Sequence, residues 1–449
     1  MTGIQPDAER GRIGVRGAPP GHSRHSPIPQ SPNWARPEWR LREELEGVRG
    51  LVLWQLLRDV LLWSKFSPPD RHSLFHKVNT QQEKWLSGAV EDTPELTNAV
   101  ASLRLVSDIP ETVDAASVAS ACQEIWQWAE MNNLRETALQ FAEAAAHVEP
   151  LSSSRCYTAG RLCRIAADHA RGVMWFRRAE RVARRAVPPS EIDFANAHLG
   201  WGILEHDRGN FTEAETHFRR ARRAAFRMGR HSLAAAAHHN LLVLYMDWER
   251  LPDALDQADK AATFYPAKHP RVPAVACDIG YLWLRLGHFS TATYLFGRAL
   301  PWITVPSDRV VVLSLYARAA AANRDRVRFE RLAERALRLI TERNDRSDAA
   351  LYHLAEGARS YEQWSRAEEL AAQALALART RNDKAVVTDA ESLLAGIVER
   401  SSGDVDTVPD EGGDVDRITH KVLTKLRRMP APESLDPEAA FFPENYPPD

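Results

Sequence analysis

Between residues 111 and 400 the apolar positions return in one register. Ile279-Gly280, Trp283, Gly287, Phe289, Ala292, Phe296 and Ala299 form one set, and Trp201-Gly202, Gly209, Phe211, Ala214, Phe218 and Ala221 repeat it at the same offsets. A third set is Leu241-Leu242, Tyr245, Ala254, Ala261 and Pro266. Each set predicts two helices joined by a turn. Small residues at Gly280, Ala292 and Ala299 let the two helices approach, while Trp283 and Phe296 fill the space between neighbouring pairs. Gly209 and Gly287 fall where the turn calls for a positive φ, and Pro266 cannot continue a helix. With the small residue that opens the second helix as a ruler, further units fit at Ala138, Gly172 and Ala367, and a degenerate one around Phe329 and Ala336. Successive ruler positions lie between 34 and 42 residues apart.

These marks resemble the tetratricopeptide repeat (TPR). One interval alone equals the 34 residues of a standard unit; the others are similar to the longer-helix variants of kinesin light chains and bacterial peptide-sensing regulators. The resemblance implies an all-α fold, a right-handed superhelical α-solenoid of about seven TPR-like helix pairs. Non-repeat helices precede it and a capping helix over Ala385 to Arg400 closes it. The expected organisation is a disordered arm over 1–36 and a tryptophan-rich helical region over 37–110, with helices at Pro37–Trp63, Asp70–Leu86 and Thr93–Leu105. The solenoid follows over 111–400, then an acidic flexible linker over 401–414, then a short amphipathic helix and an acidic aromatic tail over 415–449. Ile418, Val422, Leu426 and Met429 recur at helical spacing beside Lys421, Lys425 and Arg428, so that helix needs a surface to fold on.

Composition narrows the function. Of 449 residues, 44% are hydrophobic and 26% charged, with a net charge of −2, so the whole molecule has no general pull toward nucleic acid or anionic membrane. The most apolar run, Leu51 to Trp63, contains Arg58 and Asp59 and is too short to span about 30 Å of hydrocarbon. The first residues lack the apolar stretch of a secretory signal. A cytoplasmic protein without membrane contact is expected. Cys122, Cys156, Cys163 and Cys277 include no CxxC pair and read as small core residues. There is no phosphate-cradling glycine loop, GxSxG or HExxH. His72 and His76 are spaced i, i+4, but position 73 is Ser where a metalloprotease needs Glu. No catalysis, cofactor or metal is expected. His198, His206, His217, His231, His238 and His239 read as ordinary polar helix positions.

The resemblance further implies that the first helix of each pair lines a concave groove. In register, that inner side carries Gln127, Glu130, Tyr157, Arg161, Arg164, Asn196, His206, His239, Asp247, Tyr281, Arg285, Arg318, Tyr352 and Arg359. Five arginines and three tyrosines suit an acidic peptide, because guanidinium forks pair bidentately with carboxylates. No lysine stands where chaperone-binding members hold a carboxylate clamp. FRRAERVARR (Phe176 to Arg185) and FRRARRAAFRMGR (Phe218 to Arg230) make two second helices basic, but interleaved glutamates and the lack of a nucleic-acid-binding motif leave nucleic acid as a poor candidate. The expected function is a scaffold or adaptor for another protein or peptide; residues 415–449 either gate the groove, by folding back on it or by docking on a neighbouring copy, or form a merely disordered tail. The alternative is a peptide-sensing regulator that changes shape on binding.

Overall fold

The computed structural model describes residues 41, 44, 45, 47–73, 75, 94–342, 347–381, 383–400 and 413–430. Every regular element among the described residues is helical. The arm 1–36, nearly all of the linker 401–414 and the tail 431–449 lie outside them. So does most of the helix expected over Asp70–Leu86, including His76; its described start, Pro68–Ser73, is a 3-10 helix.

Among the described residues, two α-helices precede the repeats, α1 (Gly47–Trp63) and α2 (Thr97–Asp108). The helix expected from Pro37 is interrupted before α1, where the chain bends at Leu45 and Gly47 takes φ +76°, a left-handed conformation that ends a helical run. Val52, Leu56 and Val60 of α1 join Leu103 of α2 in one core with Ile125 of α3 (Ala115–Met131) and Phe141 of α4 (Arg135–Val148). Two long-range hydrogen bonds fix this end. The indole N–H of the buried Trp63 donates to the Pro110 carbonyl at 2.7 Å. The Glu44 carboxylate accepts from the backbone amides of Glu136 and Thr137 at 2.6 and 2.8 Å, satisfying free N–H groups at the start of α4 from far away in sequence.

From α3 onward the helices pair in succession: α3 with α4, α5 (Ser153–Ile165) with α6 (His169–Arg185), and α7 (Glu191–Asp207) with α8 (Phe211–Arg227). The series continues with α9 (His231–Asp247) and α10 (Leu251–Phe264), α11 (Val272–Arg285) and α12 (Phe289–Ala299), α13 (Pro306–Ala322) and α14 (Arg326–Glu342), and α15 (Ser347–Arg359) and α16 (Trp364–Arg381). Inside each pair one turn residue is left-handed: Asn133, Ala167, Gly209, Glu249, Gly287, Arg324 and Glu362, with φ between 56° and 86°. Each stands five positions before its ruler residue. The next amide turns back to the helix just ended, as Asn210 does to the Glu205 carbonyl at 2.8 Å and His288 to that of Trp283 at 2.9 Å, which satisfies carbonyls the helix end leaves open.

Close packing explains the glycines. Gly160, Gly202 and Gly280 on first helices lie against Phe176, Phe218 and Phe296 on their partners, and a Cβ there would come within 3.0, 2.5 and 3.2 Å of the ring. Alanines on the second helices, such as Ala214, Ala254 and Ala292, are fully buried. Past the pairs, α17 (Lys384–Val398) packs on α15 and α16. The amphipathic helix α18 (Asp414–Leu426) lies against α10, α11 and α12.

Candidate functional site: an inner ladder of first helices

Charged side chains on the first helices meet across successive pairs, because positions one repeat apart face one another. Arg161 of α5 grips both oxygens of Glu130 on α3 at 2.8 Å each. Arg164 reaches Asp207 of α7 at 2.8 Å, and His206 of α7 reaches Asp247 of α9 at 2.8 Å. His239 of α9 meets Asp278 of α11 at 2.5 Å. Arg285 of α11 pairs with Glu249, in the turn after α9, and donates to the Met246 carbonyl at 2.7 Å. Arg318 of α13 pairs with Glu356 of α15 at 3.4 Å, and Arg359 holds the same carboxylate at 2.8 Å.

Tyrosines thicken the ladder at its C-terminal half. The Tyr281 ring meets His353 edge-on at 5.7 Å across two pairs, and the Arg318 and Arg285 guanidiniums lie over Tyr352 and Tyr281 at 5.6 and 5.9 Å. Burial pushes the Tyr352 hydroxyl up to about 12 and raises that of Tyr281, so both stay protonated. Asp389 of α17 is also raised by burial, with Arg318 opposing the shift.

All five predicted arginines, together with His206, His239, Asp247, Glu130, Tyr281 and Tyr352, therefore enter a series of contacts along the first helices. Tyr157 is half-buried and leans on Phe176 at 5.9 Å, so it also serves packing. Gln127 is exposed and Asn196 half-buried. The acidic partners Asp207, Glu249, Asp278 and Glu356 were not foreseen from the sequence. They were detectable: each lies about one repeat interval from its cation. With each of these five arginines already holding a carboxylate, this row of side chains is balanced in charge rather than basic.

Two expectations are corrected by the packing. His198, His217, His238 and His239, expected as ordinary polar helix positions, are instead buried in the packing, between 0% and 8% exposed. His198 and His217 face each other through Nδ1 at 2.7 Å between the two helices of one pair, and His238 and Gln257 occupy the equivalent places in the next pair, also at 2.7 Å. Burial lowers His217 and His238, and a neutral imidazole at each fits there because one ring nitrogen can donate while the other accepts. The second correction concerns α18, which does not lie on the inner ladder. Its partner Trp283 stands two residues from both Tyr281 and Arg285, about 200° around α11. Arg417 and Lys421 pair with Asp259 of α10, and Lys425 donates to the carbonyls of Ala262, Thr263 and Tyr265, where the negative end of the α10 dipole favours a cation.

The four cysteines are buried and unpaired, with thiols raised by burial. Among the described residues no group of His, Cys, Asp or Glu is disposed to hold a metal ion, and no helix is long and apolar enough to cross a membrane.

No family model matches the chain, and no curated protein does. Among solved structures it is similar to the APC/C hetero-tetramer Cut9-Hcn1, at 12% identity over 82% of this chain and 59% of that one, with a TM-score of 0.46. It is also similar to aspartyl phosphate phosphatase F from Bacillus subtilis, at 11% identity over 80% and 97% of the two chains and a TM-score of 0.43. A third similarity is to BtubC (BKLC) from P. vanneervenii, at 16% identity over 51% and 91% and a TM-score of 0.39. The succession of helix pairs, the recurring left-handed turn in fixed register and the repeated glycine–phenylalanine contact make this chain an all-α protein of repeated helix pairs.

Proposed function

We propose that the protein is a non-catalytic interaction scaffold that takes a segment of another polypeptide along the inner ladder. The observation that carries this reading is the pairing of Arg161 with Glu130 and of Arg164 with Asp207, at side-chain exposures of 26% to 36%. Exposed pairs of this kind contribute about 0 to 1 kcal/mol each. A ligand carboxylate can therefore replace Glu130 on Arg161, or Asp207 on Arg164, at little cost. The guanidinium forks already stand in the geometry that a carboxylate needs. The tyrosine-rich half offers contact area at low entropic cost, since its rings are held by Arg285, Arg318 and His353. Acidic segments are thus favoured by exchange, not by an excess of positive charge.

An array of acidic, basic and neutral peptides of about a dozen residues, read by fluorescence anisotropy, tests the proposal. Acidic members should bind, and the double variant Arg161→Ala/Arg164→Ala should bind them about tenfold more weakly, a change of about 1.4 kcal/mol. If the wild-type chain selects no class of peptide, or the double variant selects the same peptides equally well, the inner ladder is not the binding surface.

A further inference from the structure

On the second-helix side, α8 and α10 border an open cleft of about 760 Å³ that the inner ladder does not involve. Its α8 wall carries Arg222, Arg223 and Phe226, its α10 wall Lys260 and Phe264, and His238 of α9 lines it between them. Arg222 and Arg223 form no ion pair among the described residues, whereas Arg227, also on this wall, pairs with Glu191 at 2.6 Å and Lys260 with Asp256 at 2.5 Å. Burial and the neighbouring Arg219 and Arg223 lower the Arg222 guanidinium, the mark of crowded positive charge. Phe226 is 42% exposed and meets Phe264 edge-on at 5.2 Å, giving the cleft an apolar floor.

The buried His238 defines the third requirement. Gln257 donates its amide N–H to Asp256 at 2.8 Å, so its carbonyl oxygen faces His238 Nδ1 at 2.7 Å. Nδ1 must therefore carry the proton, which leaves Nε2 as a bare acceptor. That atom is buried, has no partner, and belongs to a ring 2% exposed. A fitting occupant brings carboxylates for Arg222 and Arg223, an aromatic group for Phe226 and Phe264, and an N–H or O–H for His238.

Residues 431–449 have that composition: Glu433, Asp436, Glu438 and Glu444 with Phe441, Phe442 and Tyr446, and neither lysine nor arginine. The chain delivers them nearby. Lys425 sits on the carbonyls that end α10, the same end whose Phe264 lines the cleft, and the Pro430 carbonyl accepts from the Trp302 indole at 2.9 Å. From Pro430 to Phe442 an extended chain covers up to about 40 Å, several helix diameters. We infer that the cleft between α8 and α10 is the docking site of the chain's own residues 431–449, seated in cis with their acidic side chains on Arg222 and Arg223 and their aromatic rings on Phe226 and Phe264. The C-terminal segment then covers the outer face and leaves the inner ladder open.

A labelled peptide of residues 431–449 and a chain ending at Pro430, which keeps every described element, test this directly. The shortened chain should bind the peptide, and the full chain should bind it at least about tenfold more weakly, because a tethered segment competes at about millimolar effective concentration. Arg222→Glu/Arg223→Glu in the shortened chain should abolish binding, and a peptide with Glu438→Lys and Glu444→Lys should restore it. That rescue separates a lost contact from a lost fold. In the full chain the same pair of substitutions should speed proteolysis of the segment. Equal binding by full and shortened chains, failure of rescue, binding of a single-stranded oligonucleotide in place of the peptide, or a dimer that the charge reversal dissolves would each overturn the inference.

Discussion

Trp283 of α11 donates its indole N–H to the hydroxyl of Thr419 on α18 at 3.1 Å, with both side chains buried. Through this bond a helix far along the chain becomes part of the repeat core. Ile418, Val422 and Leu426 of α18 are buried in the same cluster as Leu282 and Leu295. Thr419→Val keeps the shape and removes the acceptor, leaving the indole N–H unsatisfied at a cost of about 1 to 3 kcal/mol. Thr419→Ser should cost much less, since the oxygen remains. Removal of 413–449 should lower the urea midpoint further than either substitution. A deletion that leaves the midpoint unchanged would show that α18 is not bound in solution.

The turns offer a gain in stability. Ala167 is exposed and held at φ +57°, where its Cβ crowds the backbone. Relief of that strain exceeds the extra chain entropy that glycine brings to the unfolded state, so Ala167→Gly should add about 0.5 to 1 kcal/mol. Ala166→Gly, one position earlier at φ −80°, should destabilise. Thermal melts of the pair decide it: both variants falling below the wild type would mean that the turn is not left-handed.

Those same turns show why the register was legible in the sequence. Gly209 and Gly287, and to a lesser degree Asn133, announce a left-handed residue; Ala167, Glu249, Arg324 and Glu362 adopt the conformation without advertising it. The ruler found them because the alanines and phenylalanines behind them obey packing constraints that leave few choices. Buried polar groups escaped the same reading. His198 and His238 sit where the fifth pair places Ala276, and a polar residue at a core position looks like surface until its partner across the pair, His217 or Gln257, is known. The address of α18 was hidden for a similar reason: its amphipathic pattern shows that it must dock, while the exposed end of α10 and Asp259 decide where.

A buried ion pair ties α4 to α6. Glu143, 1% exposed at its side chain, accepts from Arg171 at 3.2 Å and from the Trp175 indole at 2.8 Å. Removing one member leaves a charge or an acceptor stranded, so Arg171→Met should cost about 3 to 5 kcal/mol. The double variant Glu143→Gln/Arg171→Met keeps an acceptor for Trp175 and no charge, and should recover more than half of that loss. Urea denaturation of the three chains would settle the matter. If the single variant is as stable as the wild type, the pair contributes nothing; if the double variant is worse than the single one, packing and not charge is at stake.

The buried histidines set a pH dependence whose sign can be worked out. Burial, with the neighbouring His198 and Arg220, holds His217 down to about 3, while burial holds His238 and His147 at about 4, against an ordinary value of 6.5. Glu180, on the same side as His198 and His217, opposes the shift in His217 only weakly. In the folded chain these rings stay neutral through the range in which the unfolded chain takes up protons. The unfolded state then binds more protons, and stability rises with pH. Their contribution is fully present above about pH 6.5, and every tenfold difference in proton affinity between the folded and unfolded chain corresponds to about 1.4 kcal/mol. It is lost progressively as pH falls from there toward 4. Glu143 and Asp389, raised by burial, act in the opposite sense and soften the fall. Urea midpoints should therefore drop steeply between about pH 7 and about pH 5. His217→Gln should flatten that slope, because it removes one of the protons taken up on unfolding. A midpoint that is flat over this range, or a slope that His217→Gln leaves untouched, would mean that these rings are accessible to protons in the folded chain.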